Sequence, residues 1–189
     1  MGFKHGVEIG VQQGRFSEVF ILAQWKSFES YRLVDLWGHQ PNSNYLDSAN
    51  VNQAAQDRNY NTVKNRLRKH GNKTILMRMT SLTAALKIPD ASLDFAYVDA
   101  RHDYCGVKED LEAYWPKLRP GALMAGHDYV YAHEVAEADG NWSICEDGSF
   151  HPTAVRGAVD EFAQSHRLKL FTTQENHATW MFRKPFTAA

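Results

Sequence analysis

Short apolar runs alternate along the chain with stretches whose apolar residues recur at helical spacing. The run 6–10 (GVEIG) predicts a buried strand. Phe16, Val19, Phe20 and Ala23 then fall on one face, predicting a helix over 16–26. The same reading gives strands over 31–36, 74–79, 93–98 and 122–125. It gives helices over 51–70, 81–86, 106–118 and 155–166, with Gly71 as a C-cap of the first of these and Pro116 near the end of the third. Two short strands, 168–172 and 179–183, have no helix between them, so the last is expected to be antiparallel. Segments 37–50 and 130–152 are rich in turn residues and show no period. A loop as long as 130–152 is expected to take part in function.

Strands alternating with helices imply an α/β domain, with a mostly parallel seven-stranded sheet and helices on both faces. No repeat, linker or low-complexity tract divides residues 1–189, so a single domain is expected, with no cap segment ahead of the first strand. In such a sheet, ligands collect at the carboxyl ends of the strands.

Composition narrows the classes. Apolar residues are 43% and charged residues 23%, the globular range. The net charge is −1, with no basic stripe to track a nucleic-acid backbone. No apolar run is long enough for a membrane helix, and the first residues do not read as a signal peptide. Cys105 and Cys145 are the two cysteines, with no CxxC spacing; free thiols in a reducing cytoplasm are expected.

Candidate chemistry follows the strand ends. Gly10-Val-Gln-Gln-Gly14 follows the first strand and opens a helix, where backbone can approach a ligand closely. Gln12 stands where a dinucleotide fingerprint has its second Gly. Asp35 ends the second strand, where a carboxylate can accept bonds from ribose hydroxyls. Asp99-Ala-Arg-His102 follows the fourth strand and His127-Asp128 the fifth. Asp99, His127 and Asp128 are candidate ligands of a divalent cation, Mg2+ or Mn2+, with Fe2+ and Zn2+ left open by the imidazole. His102 is placed to act as a general base.

These stretches resemble one family. Val7-Glu-Ile-Gly-Val-Gln-Gln-Gly14, Asp35, Leu93–Tyr104 and Leu118–Tyr129 are together similar to class I S-adenosylmethionine (SAM)-dependent methyltransferases. The last two stretches resemble the small-molecule O-methyltransferase branch that includes catechol-type and macrolide-sugar enzymes. The resemblance implies a Rossmann-like, doubly wound fold and methyl transfer from SAM to a hydroxyl of a small molecule. It implies that Glu8 faces the methionine amino group and that Gly10 to Gly14 pack on the methionine part. Asp35 would bind the ribose, with Trp37 beside the adenine and Met79 and Ser81 in contact with it. Asp99, His127 and Asp128 fall on the branch's metal positions and His102 on its base position. A homodimer is expected by the same analogy. One departure is that the first residue of the 127–128 pair is usually acidic and here is His.

Two alternatives remain open at this level. One is a metal-dependent hydrolase or hydroxylase using Asp99, His102, His127 and Asp128. The other is a SAM-binding subunit without catalysis. Trp142, Tyr129, Tyr131 and Phe150 flank the long loop as either an aromatic lid or loop anchors; His133 and His151 in it are more simply surface residues.

Overall fold

The computed structural model describes residues 2–186. Its strands are β1 (His5–Ile9), β2 (Ser30–Asp35), β3 (Leu46–Asp47), β4 (Thr74–Arg78), β5 (Leu93–Val98), β6 (Leu118–Gly126), β7 (Gly140–Asn141), β8 (Phe171–Thr172) and β9 (Trp180–Arg183). Seven of them form one sheet in the order β4-β2-β1-β5-β6-β9-β8. The pairs β4–β2, β2–β1, β1–β5 and β5–β6 are parallel; β9 runs antiparallel to both β6 and β8. This is the expected α/β sheet, with its crossover point between β1 and β5.

Helices α1 (Gln53–Leu67), α2 (Ser81–Ala85), α3 (Tyr104–Tyr114) and α4 (Ala154–Ser165) cover the two faces. Val107 and Leu111 of α3 and Val155 and Val159 of α4 pack on Val7, Ile9, Ala96 and Val98. On the other face, Val63 and Leu67 of α1 pack with Tyr31, Leu33, Phe95 and Tyr97. All six β5 residues are buried, which is why that segment reads as an almost unbroken apolar run.

Several boundaries differ from the pattern, each for a local reason. The 16–26 helix contracts to Ser17–Leu22 and is wound wide, with Ala23 N–H donating to Glu18 O. Helix α1 begins at an Asn52 cap that accepts from Ala55 N–H, and it ends at Leu67; Gly71 lies in a following 3-10 turn rather than at a C-cap. Asp103 caps α3 two residues earlier than the spacing suggests, accepting from Gly106 N–H at 3.0 Å. Residues 168–172 form strand only over Phe171–Thr172.

Two features of the aperiodic segments were not legible. β3 and β7 pair antiparallel as a small ribbon, joining the 37–50 segment to the 130–152 segment. Cys105 and Cys145 form a disulfide, correcting the free-thiol expectation and removing its support for a reducing compartment. The cysteines are 40 residues apart, and only the pairing of β5 with β6 brings the start of α3 under the long loop. Among the described residues no helix is long and apolar enough to cross a membrane.

Candidate active site

β1 and β5 end side by side, and Asp99 N–H donates to Ile9 O at 2.7 Å just beyond them. Gly10 adopts a φ of 84°, and a Cβ there would lie 1.8 Å from the Asp99 carbonyl oxygen, so a side chain is excluded. One Asp35 oxygen accepts from Val11 N–H at 2.9 Å and Gln12 N–H at 2.8 Å. The other accepts from Trp37 N–H at 2.6 Å. Asp35 therefore folds the glycine loop onto the end of β2. Glu8 lies beneath that loop at 2% exposure, accepting from the Ser17 and Tyr31 hydroxyls. Burial pushes its pKa up to about 8; the Asp99 charge adds to the rise and the hydroxyls oppose it.

Across the same strand ends is a cluster of imidazoles and carboxylates. His102 Nδ1 meets Asp47 Oδ2 at 2.6 Å, while Nε2 lies 3.2 Å from Asp128 Oδ2 and 3.5 Å from Asp99 Oδ1. The Trp142 ring stacks on the imidazole at 4.3 Å. Asp128 sits at a φ of 56° and also meets His177 Nδ1 at 2.6 Å and His127 Nδ1 at 3.2 Å. Burial alone would lower the His102 pKa, but hydrogen bonds to Asp128, Asp47 and Asp99 raise it well above the ordinary imidazole value. Burial would raise the Asp128 pKa, yet His102 and His127 hold it far below the usual carboxylate range. Ligand atoms of Asp99, His127 and Asp128 lie within 4.8 Å of one another. Two carboxylates and an imidazole at that spacing fit a divalent cation.

Both groups open into one cavity of about 1130 Å3, lined by Glu8 to Gln13, Asp35 and Ser81 at one end and by Asp47, Asp99, His102, His127 and Asp128 at the other. A family model described as a methyltransferase domain matches residues 7–129, which hold both ends of this cavity except Asp139, Trp142, Glu146 and His177. The chain belongs to the methyltransferase-domain family. The hydrolase alternative falls with that assignment.

A curated relative of this methyltransferase is the uncharacterized protein y4gI of Sinorhizobium fredii (strain NBRC 101917 / NGR234). It is 43% identical over 53 residues, which is 28% of this chain and 6% of that much longer protein. The O-methyltransferase TomG from Streptomyces achromogenes, solved with SAM, superposes with a TM-score of 0.63 at 14% identity, covering 97% of this chain and 74% of that one. The N-methyltransferase NodS from Bradyrhizobium japonicum, solved with S-adenosylhomocysteine, gives 0.59 at 14% identity, covering 97% and 79%. At that identity these two establish the fold.

The methyltransferase brings most expected site residues to the cavity: Glu8, Gly10, Asp35, Ser81, Asp99, His102, His127 and Asp128. Three lie elsewhere. Trp37 has a φ of 39° that turns its indole fully into the core, where Nε1 donates to Gln12 O at 2.8 Å. It supports the loop and does not face a ligand. Met79 packs into the core beside α2, leaving Thr80, Ser81 and Leu82 to line the wall. Gly14, at a φ of 70°, faces Val63 of α1. Of the loop aromatics only Trp142 reaches the site; Tyr129 and Tyr131 hold the Arg156 guanidinium against their rings, and Phe150 is exposed.

Asp47 and His177 were missed. Asp47 comes from a two-residue strand with no readable period. His177 precedes β9, and an antiparallel strand starts at the edge where its parallel neighbours end. That signal was present in the expected direction of the last strand.

Proposed function

We propose that this methyltransferase transfers the methyl group of SAM to a hydroxyl of a small molecule, assisted by a divalent cation. The observation carrying the reading is the single cavity in which the β1 glycine loop and the Asp99–His102–Asp128 cluster face each other. The loop end suits the donor: Gly10 admits close backbone approach, and Glu8 lies under it for an ammonium group. Asp35 orders the loop and is the carboxylate nearest a ribose. TomG with SAM and NodS with S-adenosylhomocysteine support this assignment of the donor.

The cluster end suits a hydroxyl acceptor. A neutral amine attacks with its own lone pair, whereas a hydroxyl must lose a proton. Asp99, His127 and Asp128 would hold the cation; when bound, it lowers the pKa of an acceptor hydroxyl and draws two carboxylate charges away from His102. Asp47 fixes His102 through Nδ1, and Trp142 covers the ring, so that Nε2 is the nitrogen presented to the acceptor. His102 then takes the proton while the methyl group passes in line from sulfur to oxygen. Holding the two partners in attack geometry contributes up to roughly 7–11 kcal/mol.

The test is a calorimetric titration of S-adenosylhomocysteine into EDTA-treated protein, repeated with Mg2+ and with Mn2+. Micromolar binding without metal is expected, followed by metal-dependent methylation on a panel of catechols and sugars. Absence of binding under every condition overturns the donor assignment. Methylation that proceeds equally in EDTA overturns the cation.

A further inference from the structure

The disulfide lies outside the machinery just described, and a third potential ligand lies beside it. Ligand atoms of Cys105, Cys145 and His151 fall within 4.8 Å of one another. We propose that Cys105, Cys145 and His151, once the disulfide is reduced, form a Zn2+ site that pins the 130–152 segment to α3 as the disulfide does.

The donor set points to the ion. Two sulfurs and an imidazole are the ligands of Zn2+, whereas the oxygen-rich Asp99 cluster suits a harder cation. The three groups are also held in place by bonds that do not depend on the S–S link. Cys145 sits in a tight turn, its N–H donating to Ser149 O and its carbonyl accepting from Gly148 N–H, both at 2.9 Å. Ile144 and Phe150 bridge across that turn, and His151 N–H donates to Ser143 O at 2.7 Å. The His151 ring lies flat on Tyr104, next to Cys105, with centroids 4.4 Å apart. Arg101 ties the two segments together again, reaching Asp103 at 2.9 Å and Glu146 at 3.2 Å. Cys145 is buried, while Cys105 and His151 are half-buried, so the cluster can be reached from one side.

The chemistry balances. A phosphine reductant and water convert the disulfide to two thiols and the phosphine to its oxide. Zn2+ binding then releases both thiol protons to solvent, and two thiolates, neutral His151 and one water complete a tetrahedral shell with no net charge. The loop that carries Trp142 onto His102 is thereby fastened to α3 under both oxidising and reducing conditions.

Co2+ is the probe, because thiolate ligation gives it a sulfur-to-metal charge-transfer band that carboxylates and imidazoles do not. Phosphine-reduced, desalted protein titrated with Co2+ should show that band, and a stoichiometric amount of Zn2+ should bleach it. The oxidised protein and Cys145→Ser should not show it, and His151→Ala should bind Co2+ roughly 10-fold more weakly or worse. Circular dichroism confirms that each variant is folded. No band in the reduced protein, a band surviving Cys145→Ser, or unchanged Co2+ affinity in His151→Ala overturns the proposal. S-adenosylhomocysteine binding is measured separately and does not depend on any of these results.

Discussion

Glu8 is a carboxyl that the fold keeps protonated. Burial raises its pKa from 4.5 to about 8, so between those values the native state holds a proton that the unfolded chain has released. Its contribution to stability is therefore complete below about pH 4.5 and is lost as pH rises through about 8. Replacing Glu8 with Gln should flatten this dependence, making the variant more stable relative to wild type at pH 8 than at pH 5, by on the order of 4 kcal/mol. Urea denaturation at the two pH values checks it. Asp35 works in the opposite sense, as an organiser of N–H groups. Asp35→Ala leaves Val11, Gln12 and Trp37 without their acceptor and should weaken S-adenosylhomocysteine at least tenfold by calorimetry. At this scale the sequence was readable where a residue type and a strand end coincide, as for Gly10, Asp35 and Asp99. It was not readable for Trp37, because an aromatic after a strand can face ligand or core, and its backbone torsion decided the matter.

Elements that bury both faces or one stripe announced themselves. β5 and α4 lie close to where the apolar pattern puts them, since hydrophobic burial sets their limits. The β3–β7 ribbon has two residues on each side and leaves no pattern, yet it delivers Asp47 to His102. Its weak point is Gly140, at a φ of 116°, where a Cβ would lie 2.0 Å from Leu46 O. Gly140→Ala should pull the ribbon apart while leaving the sheet intact. Hydrogen exchange read by mass spectrometry should then rise over 40–50 and 137–145 and stay unchanged in β1, β2 and β5. Equal protection in the ribbon would show that it does not depend on this contact.

Across the whole molecule, the mostly parallel sheet followed from the alternation of strand and helix, and beyond β6 it is completed by the antiparallel β9 and the edge strand β8. Trp180, fully buried, packs beside Phe182, and its Nε1 donates to His127 O at 3.0 Å, coupling the core to the cluster. Trp180→Ala should cost about 3–5 kcal/mol in chemical denaturation. The glycine loop carries a consequence for selectivity. Gly10, Val11, Gln12 and Gly14 have already given their N–H groups to Val34 O, the Asp35 carboxylate and Val11 O. A pyrophosphate finds those donors occupied and a fixed negative charge behind them, whereas a sulfonium and an ammonium find that charge attractive. The loop thus sorts nucleoside ligands by the sign of their tails, and NAD+ should fail to displace S-adenosylhomocysteine even in large excess.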